Sequence, residues 1–229
     1  MKIALVAEVK WEVREVCRRL HLDLLDARDQ VWGATLNGHT VRLCLSGMVP
    51  AVAHERVPRF LDTLQPDLMI CSGLAGALRP HVQVGELVVQ SEHESLRATA
   101  ERTLKESDIP FHVGSLVTVS KPVLTPEARR HLASQTAAIA VDMESQTIAA
   151  LCRERGIPCL AMKGVSDGIT DDLSPILGGF EIINIPRIAL RVLGRPRTWP
   201  LAARLAQHSY VAADRLGHGV WATLAGIVG

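Results

Sequence analysis

The stretch that most constrains the fold runs from Ala138 to Asp167, AIAVDMESQTIAALCRERGIPCLAMKGVSD. A short apolar run, Ala138 to Val141, leads into Asp142-Met143-Glu144-Ser145 and then an amphipathic helical pattern to about Arg155. Gly156 suits the left-handed position that ends a helix, and Pro158 follows where a helix cannot continue. A second apolar run, Cys159 to Val165, delivers Ser166 and Asp167 at its carboxyl end. Glu144 and Asp167 are thereby expected at the mouths of neighbouring strands, the edge at which open α/β sheets hold ligands. Each also has a plainer reading. Glu144 can simply favour a helix N-terminus, and Asp167 can be a turn residue before Gly168.

The flanking chain repeats the alternation of strand and helix. Lys2 to Val6 reads as a buried strand with Ala7 and Glu8 at its exit, and Trp11 to Leu20 has helical periodicity. Val31–Leu36 and Val41–Leu45 flank Asn37-Gly38, a hairpin signal. Ser46-Gly47-Met48 leaves that strand, Ala51 to Leu64 reads as a helix, and Leu68 to Cys71 is a strand entering the glycine segment Ser72-Gly73-Leu74-Ala75-Gly76. Leu87 to Gln90 and Val113 to Val119 read as strands, Glu92 to Lys105 and Pro126 to Ala133 as helices. After Asp167, GITDDLSPILGG reads as a loop, Ile182 to Leu193 as a helix, and Pro196 to Pro200 as a break. The last segment, Leu201 to about Leu224, has an apolar stripe at Leu201, Leu205, Ala212 and Leu216. The expected architecture is α/β: a three-layer αβα sandwich around a mixed, largely parallel central sheet, in a single domain over residues 1–229 with a helical extension at about 195–229.

Composition excludes several classes of function. Lys+Arg (25) and Asp+Glu (24) nearly cancel, which argues against a surface built to neutralise nucleic-acid phosphates. Aromatic residues are 3% of the chain, too few for base-stacking platforms. Five cysteines show no CxxC, and nine histidines show no HExxH or HxH spacing, so no metal site and no cofactor is expected. Reduced cysteines suit a cytoplasmic chain. No apolar run reaches the roughly 18 residues a spanning helix needs, so no integral membrane segment is expected.

The string VDMES, with a later strand ending in VSD, resembles the signature of the nucleoside phosphorylase and nucleosidase superfamily. Within it the chain most resembles methylthioadenosine/S-adenosylhomocysteine nucleosidases, and its arginine-rich carboxyl end is similar to hopanoid-associated, phosphorylase-like relatives that act on adenosylhopane. The resemblance covers roughly residues 1–190. It implies cleavage of an N-ribosidic bond, which asks an enzyme to protonate the base, stabilise a sugar cation and deliver a nucleophile. By this resemblance Asp167 is the general acid for the purine, requiring a raised pKa in a dry pocket, with Ser166 orienting it. Glu144 is the ribose clamp, its two acceptor oxygens suiting vicinal hydroxyls, and a place in the first helical turn keeps it ionised. Met143 lies against the sugar, or in the core. Glu12 is the base for water, since MKIALVAEVKWEV resembles the family's MKIxIIxAMEEEV; Glu8 replaces a small residue there.

Four further positions depart from that pattern. SGLAGAL resembles the family's TGSAGGL, but Gly73 is followed by Leu74 rather than serine, and Cys71 stands where phosphate-dependent members carry arginine. Lys163 replaces an arginine, and a point charge cannot make the same bidentate contacts. At the purine pocket, Lys121-Pro122-Val123-Leu124 resembles GDAFI with Val123 in place of the stacking aromatic; plain loop packing is the other reading of Pro122 and Val123. Water is therefore the expected nucleophile and a 5′-modified adenosine the expected small-molecule substrate. The alternatives are a phosphate-dependent phosphorylase, adenosylhopane-type substrates included, and a nucleoside-binding module without turnover. Family analogy implies a homodimer. The carboxyl-terminal stripe is either a helix packed on the core or a surface for a greasy substrate or membrane.

Overall fold

The computed structural model describes residues 1–47, 50–179 and 185–229. Met48 and residues 182–184, which close and open two of the elements expected above, lie outside them. In chain order the strands are β1 (Lys2–Ala7), β2 (Asp23–Asp26), β3 (Val31–Leu36), β4 (His39–Leu45), β5 (Leu68–Ala77), β6 (Leu87–Gln90), β7 (Phe111–Val113), β8 (Leu116–Thr118), β9 (Ala140–Asp142) and β10 (Cys159–Asp167). The helices are α1 (Arg14–Arg19), α2 (Pro50–Leu64), α3 (Glu94–Glu106), α4 (Pro126–Gln135), α5 (Ser145–Glu154), α6 (Ser174–Leu177), α7 (Ile185–Leu193) and α8 (Trp199–Val228).

The strands form one sheet in the order β2-β3-β4-β1-β5-β10-β6-β7. Its centre is parallel: β1 pairs with β4 and β5, and β10 pairs with β5. Antiparallel pairings join β2 to β3, β3 to β4 and β10 to β6. Beyond that path, β9 runs antiparallel to the end of β5 and parallel to β8. β1 shows why the centre is buried on both sides. Ile3, Leu5 and Ala7 enter one core cluster with Val16, Leu104, Leu216 and Val220, while Ala4 and Val6 enter another with Val57, Leu61, Ile148 and Cys152. Successive side chains of a strand point to opposite faces, so helices α1, α3 and α8 cover one face and α2 and α5 the other. Full burial of residues such as Leu216 and Val220 contributes roughly 1.5–3 kcal/mol each. The mixed, mostly parallel sheet flanked by helices is the expected class.

Several local signals act as expected. Asn37 and Gly38 have φ of 48° and 80°, and Leu36 pairs with His39 across their two-residue turn. Gly156 closes α5 with φ of 65°.

Elsewhere the structure corrects the sequence reading. β9 and β10 are not neighbours, because β5 lies between them: it pairs with β10 as far as Gly76 and, at Gly76 and Ala77, with β9 on its other side. The single strand expected at Val113–Val119 is two, β7 and β8, separated at Gly114, whose missing side chain leaves room for Ile139. The loop after Asp167 contains α6, and the expected break at Pro196–Pro200 is a short 3-10 turn leading straight into α8. Pro200 sits in the first turn of that helix, where a missing N–H costs nothing. β2 gave no signal, being a fully exposed Asp-Leu-Leu-Asp edge. The helix expected from Trp11 is ordered as a helix only from Arg14.

Candidate active site

The carboxyl ends of β1, β4 and β10 meet the end of β9, each bringing a polar side chain to the junction, and β5 brings glycines between them. Two buried ionic clusters result, each built against a glycine of the Ser72–Gly76 segment.

The first cluster surrounds Gly73. Lys163, paired in register with Gly73 across β10 and β5, is 1% exposed and places Nζ 2.7 Å from Glu144 Oε1 and 3.3 Å from Asp142 Oδ2. Ser46 Oγ lies 3.2 Å from Glu144 Oε2. Asp142 also accepts from Thr118 Oγ1 at 2.7 Å, from the Ser145 amide at 3.1 Å and from Ser145 Oγ. A Cβ on Gly73 would stand 3.1 Å from Lys163 Nζ, 3.3 Å from Glu144 Oε1 and 3.4 Å from Glu12 Oε2, and its φ of 153° is itself one that side-chain-bearing residues avoid. These distances put Glu12 and Glu144 at one point.

The second cluster surrounds Gly76. Arg129 of α4, 2% exposed, pairs its guanidinium with Asp167 Oδ2 and donates from Nη1 to the Gly168 carbonyl at 3.2 Å. Ser166 Oγ donates to Asp167 Oδ1 at 2.6 Å. The register of β10 against β5 shifts between Val165 and Asp167, a bulge that brings two consecutive side chains into contact. A Cβ on Gly76 would stand 2.7 Å from both Arg129 Nη1 and Asp167 Oδ2.

Both clusters open on a cavity of about 550 Å³. Its polar floor includes Glu8, Glu12, Asp142, Met143, Ser166, Asp167 and Arg129, with Leu74 and Ala75 between. Val119, Pro122, Val123 and Leu124 form one wall, and Ile188, Val192, Leu205 and Ala213 of α7 and α8 form the cover. Glu144, Lys163 and Gly73 stand in the layer just behind the floor. All the residues singled out from the sequence are therefore in or against one place.

Electrostatics follows from crowding. Burial works against the Lys163 ammonium, but Cys71, Glu144 and Asp142 outweigh it and hold its pKa well above the ordinary lysine value. Burial, reinforced by Glu8 and Glu144, pushes Glu12 well above the usual carboxylate range. Burial also pushes Glu8 up to about 7, with Glu144 and Asp142 raising it and Lys163 opposing.

One expectation is extended and another corrected. Asp167 is expected as an acid in a dry pocket with Ser166 orienting it; Ser166 does bond to it, and a buried guanidinium that the sequence reading did not include is its ionic partner. Glu144 was expected to be held by the dipole of a first helical turn. It occupies the N-cap of α5 without capping it, and Lys163 is the charge that compensates it.

The sequence reading also missed three contributors. Arg129 gave no signal within Pro-Glu-Ala-Arg-Arg, because only the fold turns that face of α4 toward β10. Ser46 is likewise a contact of tertiary origin. Asp142 was readable: an Asp whose carboxylate accepts from a backbone amide a few residues on, here that of Ser145, is a turn pattern.

Fold and site together define an α/β protein with an acidic pocket at the carboxyl edge of its sheet. The chain belongs to the phosphorylase superfamily, whose sequence profile matches residues 2–94 and 92–177. It is similar to the 5′-methylthioadenosine/S-adenosylhomocysteine nucleosidase of Buchnera aphidicola, 23% identical over 198 residues, 73% of this chain and 84% of that protein. Among solved structures it is similar in fold to the futalosine hydrolase of Helicobacter pylori, with TM-score 0.78 and 15% identity over 98% of this chain and 97% of that one. The 5′-methylthioadenosine/S-adenosylhomocysteine nucleosidase of S. pneumoniae, solved with a transition-state inhibitor, aligns with TM-score 0.76 and 18% identity over 99% of this chain and 100% of that one.

Proposed function

We propose that the chain is a purine nucleosidase, hydrolysing the N-glycosidic bond of a 5′-modified adenosine such as methylthioadenosine or S-adenosylhomocysteine. The observation that carries this reading is the convergence of Glu12 and Glu144 at Gly73, one floor away from Asp167 on the same cavity. Glu144 retains acceptor capacity on both oxygens beyond Lys163 and Ser46, enough for the two ribose hydroxyls. Met143, beside it, offers a polarizable contact to the sugar.

Bond breaking moves an electron pair onto the purine, and Asp167, a carboxylate beside Arg129 before substrate binds, passes to the base a proton that it takes up from solvent with the substrate. Arg129 then stabilises the carboxylate Asp167 becomes, while Ser166 fixes its orientation. Glu12 accepts a proton from the water that attacks the sugar carbon. Val123 and Leu124 pack on the base, and the apolar face of α7 and α8 receives a thioether substituent on the 5′ carbon.

Charge favours water over phosphate. Glu8, Glu12, Asp142 and Glu144 crowd around Lys163, whose ammonium is already committed to Glu144 and Asp142. An incoming phosphate would meet carboxylates, and the positions Cys71 and Leu74 offer it no cation. Two chains per molecule and a cytoplasmic site of action belong to the same reading; light scattering after size exclusion tests the first.

The decisive experiment is chromatographic detection of free base from methylthioadenosine, S-adenosylhomocysteine, adenosine, inosine, futalosine and adenosylhopane, each with and without phosphate. Release of adenine from the 5′-thio substrates without phosphate is the expected result. Strict dependence on phosphate would replace water as the nucleophile, and binding without any release would leave a nucleoside-binding module.

A further inference from the structure

A helix that is apolar on two opposite sides needs apolar surroundings on both, and α7 is such a helix. Ile188 and Val192, one turn apart, line the cavity. The 3.6-residue repeat carries Leu190 and Leu193 round to the other side, where both are more than half exposed, and so is Trp199 at the start of α8. The Trp199 indole N–H donates to the Val192 carbonyl at 2.9 Å, which fixes the start of α8 against the end of α7. Three large apolar side chains thus stand in water within the stretch 190–199, a concentration that soluble surfaces avoid unless something covers it.

The charge beside them has one sign. Arg187, Arg191 and Arg195 follow one another at four-residue intervals and, with Leu190 and Gly194, line a groove of about 360 Å³. Like charges at that spacing repel, so the row favours an anion along it. Arg191 donates to the carbonyls of Ile176 and Gly178, and Arg204 is bridged to Asp171 at 3.1 Å. Arg195 and Arg197 are exposed and flank Leu193 and Trp199 in the chain. No Asp or Glu occurs from residue 182 to 213 to offset these cations.

Leucines with an indole, edged by arginines, are the side chains of an element lying in a lipid interface. Other occupants fit less well. A second copy seated two-fold on this side would set the arginine row against itself. A nucleic acid would meet the arginines but leave Leu190 and Leu193 without an apolar partner. We propose that the outer side of α7, continued through the turn at Pro196–Thr198 to Trp199, is a docking surface for an anionic phospholipid bilayer. Leu190, Leu193 and Trp199 enter the boundary between headgroups and acyl chains, and the arginines meet lipid phosphates, their stems lying along the apolar surface. The contact is on the bilayer and not through it, because among the described residues no helix is long and apolar enough to cross one. Since the inner side of α7 covers the cavity, docking brings that cover to the lipid surface.

The test is sedimentation of the full chain with vesicles of phosphatidylcholine alone, and of phosphatidylcholine carrying roughly one-third phosphatidylglycerol. The expected result is binding to the anionic vesicles and little to the neutral ones, weakened about tenfold or more between about 0.1 and 0.5 M salt. Leu190→Ser with Leu193→Ser should weaken anionic binding about tenfold or more although it removes no charge. Arg195→Gln with Arg197→Gln should weaken it by about fivefold per arginine. Both double variants should keep the melting temperature of the unmodified chain, since the four side chains are exposed. Failure of the unmodified chain to bind anionic vesicles would overturn the proposal, and that result needs no variant. Anionic binding untouched by the leucine pair would overturn it too, because charge alone would then account for it. Self-association abolished by the leucine pair would assign this side to a second copy and overturn it as well. None of these outcomes depends on turnover of a nucleoside, so the docking surface and the nucleosidase reading stand or fall separately.

Discussion

The floor and the cover of the cavity are built on opposite terms. The floor is held by charge: Lys163 and Arg129, at 1% and 2% exposure, are each matched to carboxylates and each leans on a glycine. The cover is held by area. α7 and the first half of α8 present Ile188, Val192 and Leu205 inward, and expose Leu190 (73%), Leu193 (68%) and Trp199 (51%) outward. From residue 182 to 213 the chain carries five arginines and neither Asp nor Glu. A buried ion tolerates no misplacement, since an unmatched charge costs several kcal/mol, whereas an apolar wall tolerates any side chain of similar volume. The floor should therefore set the reaction and the cover only the preference among substrates.

The largest expected effect is on the floor. Asp167→Asn should lower base release by about 10²- to 10⁴-fold for every substrate that is turned over, measured per folded molecule because the change also leaves Arg129 unmatched. An unchanged rate would remove Asp167 from the chemistry. Next comes Lys163→Met, which strands Asp142 and Glu144 in the interior and should cost about 3–5 kcal/mol in denaturant unfolding at neutral pH. Removing one stranded charge as well, in Lys163→Met with Glu144→Gln, should recover part of the loss. No recovery in the double variant would mean that packing, and not charge matching, makes Lys163 necessary.

That contrast also explains what could be read from the sequence. Glu144 and Asp167 were legible because each sits at a helix start or strand exit, positions with local signatures, and the resemblance in VDMES and VSD pointed to the same two; Glu12 was legible only through the resemblance of the opening MKIALVAEVKWEV. The Lys163 ammonium was legible as a departure, though not as the bridge between Asp142 and Glu144. Arg129 was not legible: its partner is 38 positions away, and only the pairing of β9 with β5 brings α4 beside Gly76. The bulge at Ser166 is likewise a product of register. For the cover, periodicity gave the helices and their apolar positions, yet Leu205 lies over the cavity while Ala212 and Leu216 of the same stripe lie in the core.

A smaller effect tests how much strain the floor stores. Glu8 is raised from 4.5 to about 7 in the folded chain, chiefly by burial. A carboxyl whose folded pKa lies above its unfolded one is favoured when protonated, so its contribution to stability is complete below about pH 4.5 and is lost as pH rises to about 7. Glu8→Gln removes that loss. Its melting temperature should match that of the unmodified chain near pH 4 and exceed it above neutrality, levelling off past about pH 7. Parallel melting curves at all pH values would mean that Glu8 carries no destabilising charge in the folded state.

The smallest effects belong to the cover, and they decide whether the two regions are separable. Leu205→Ala removes apolar contact facing the 5′ end of the proposed substrate, and one or two methylenes in such a pocket are worth about 1–3 kcal/mol. The expected result is a KM for methylthioadenosine raised about tenfold or more with kcat nearly unchanged, and little change for adenosine, which lacks the substituent. Leu190→Ser, on the outer face of α7 at 73% exposure, should change stability by no more than about 0.5 kcal/mol and leave both constants alone. If Leu205→Ala instead lowered kcat equally for both nucleosides, the cover would be part of the machinery that assembles the floor. The division between a wall that selects and a floor that reacts would then fail, because a helix that only fills space has no means of acting on adenosine.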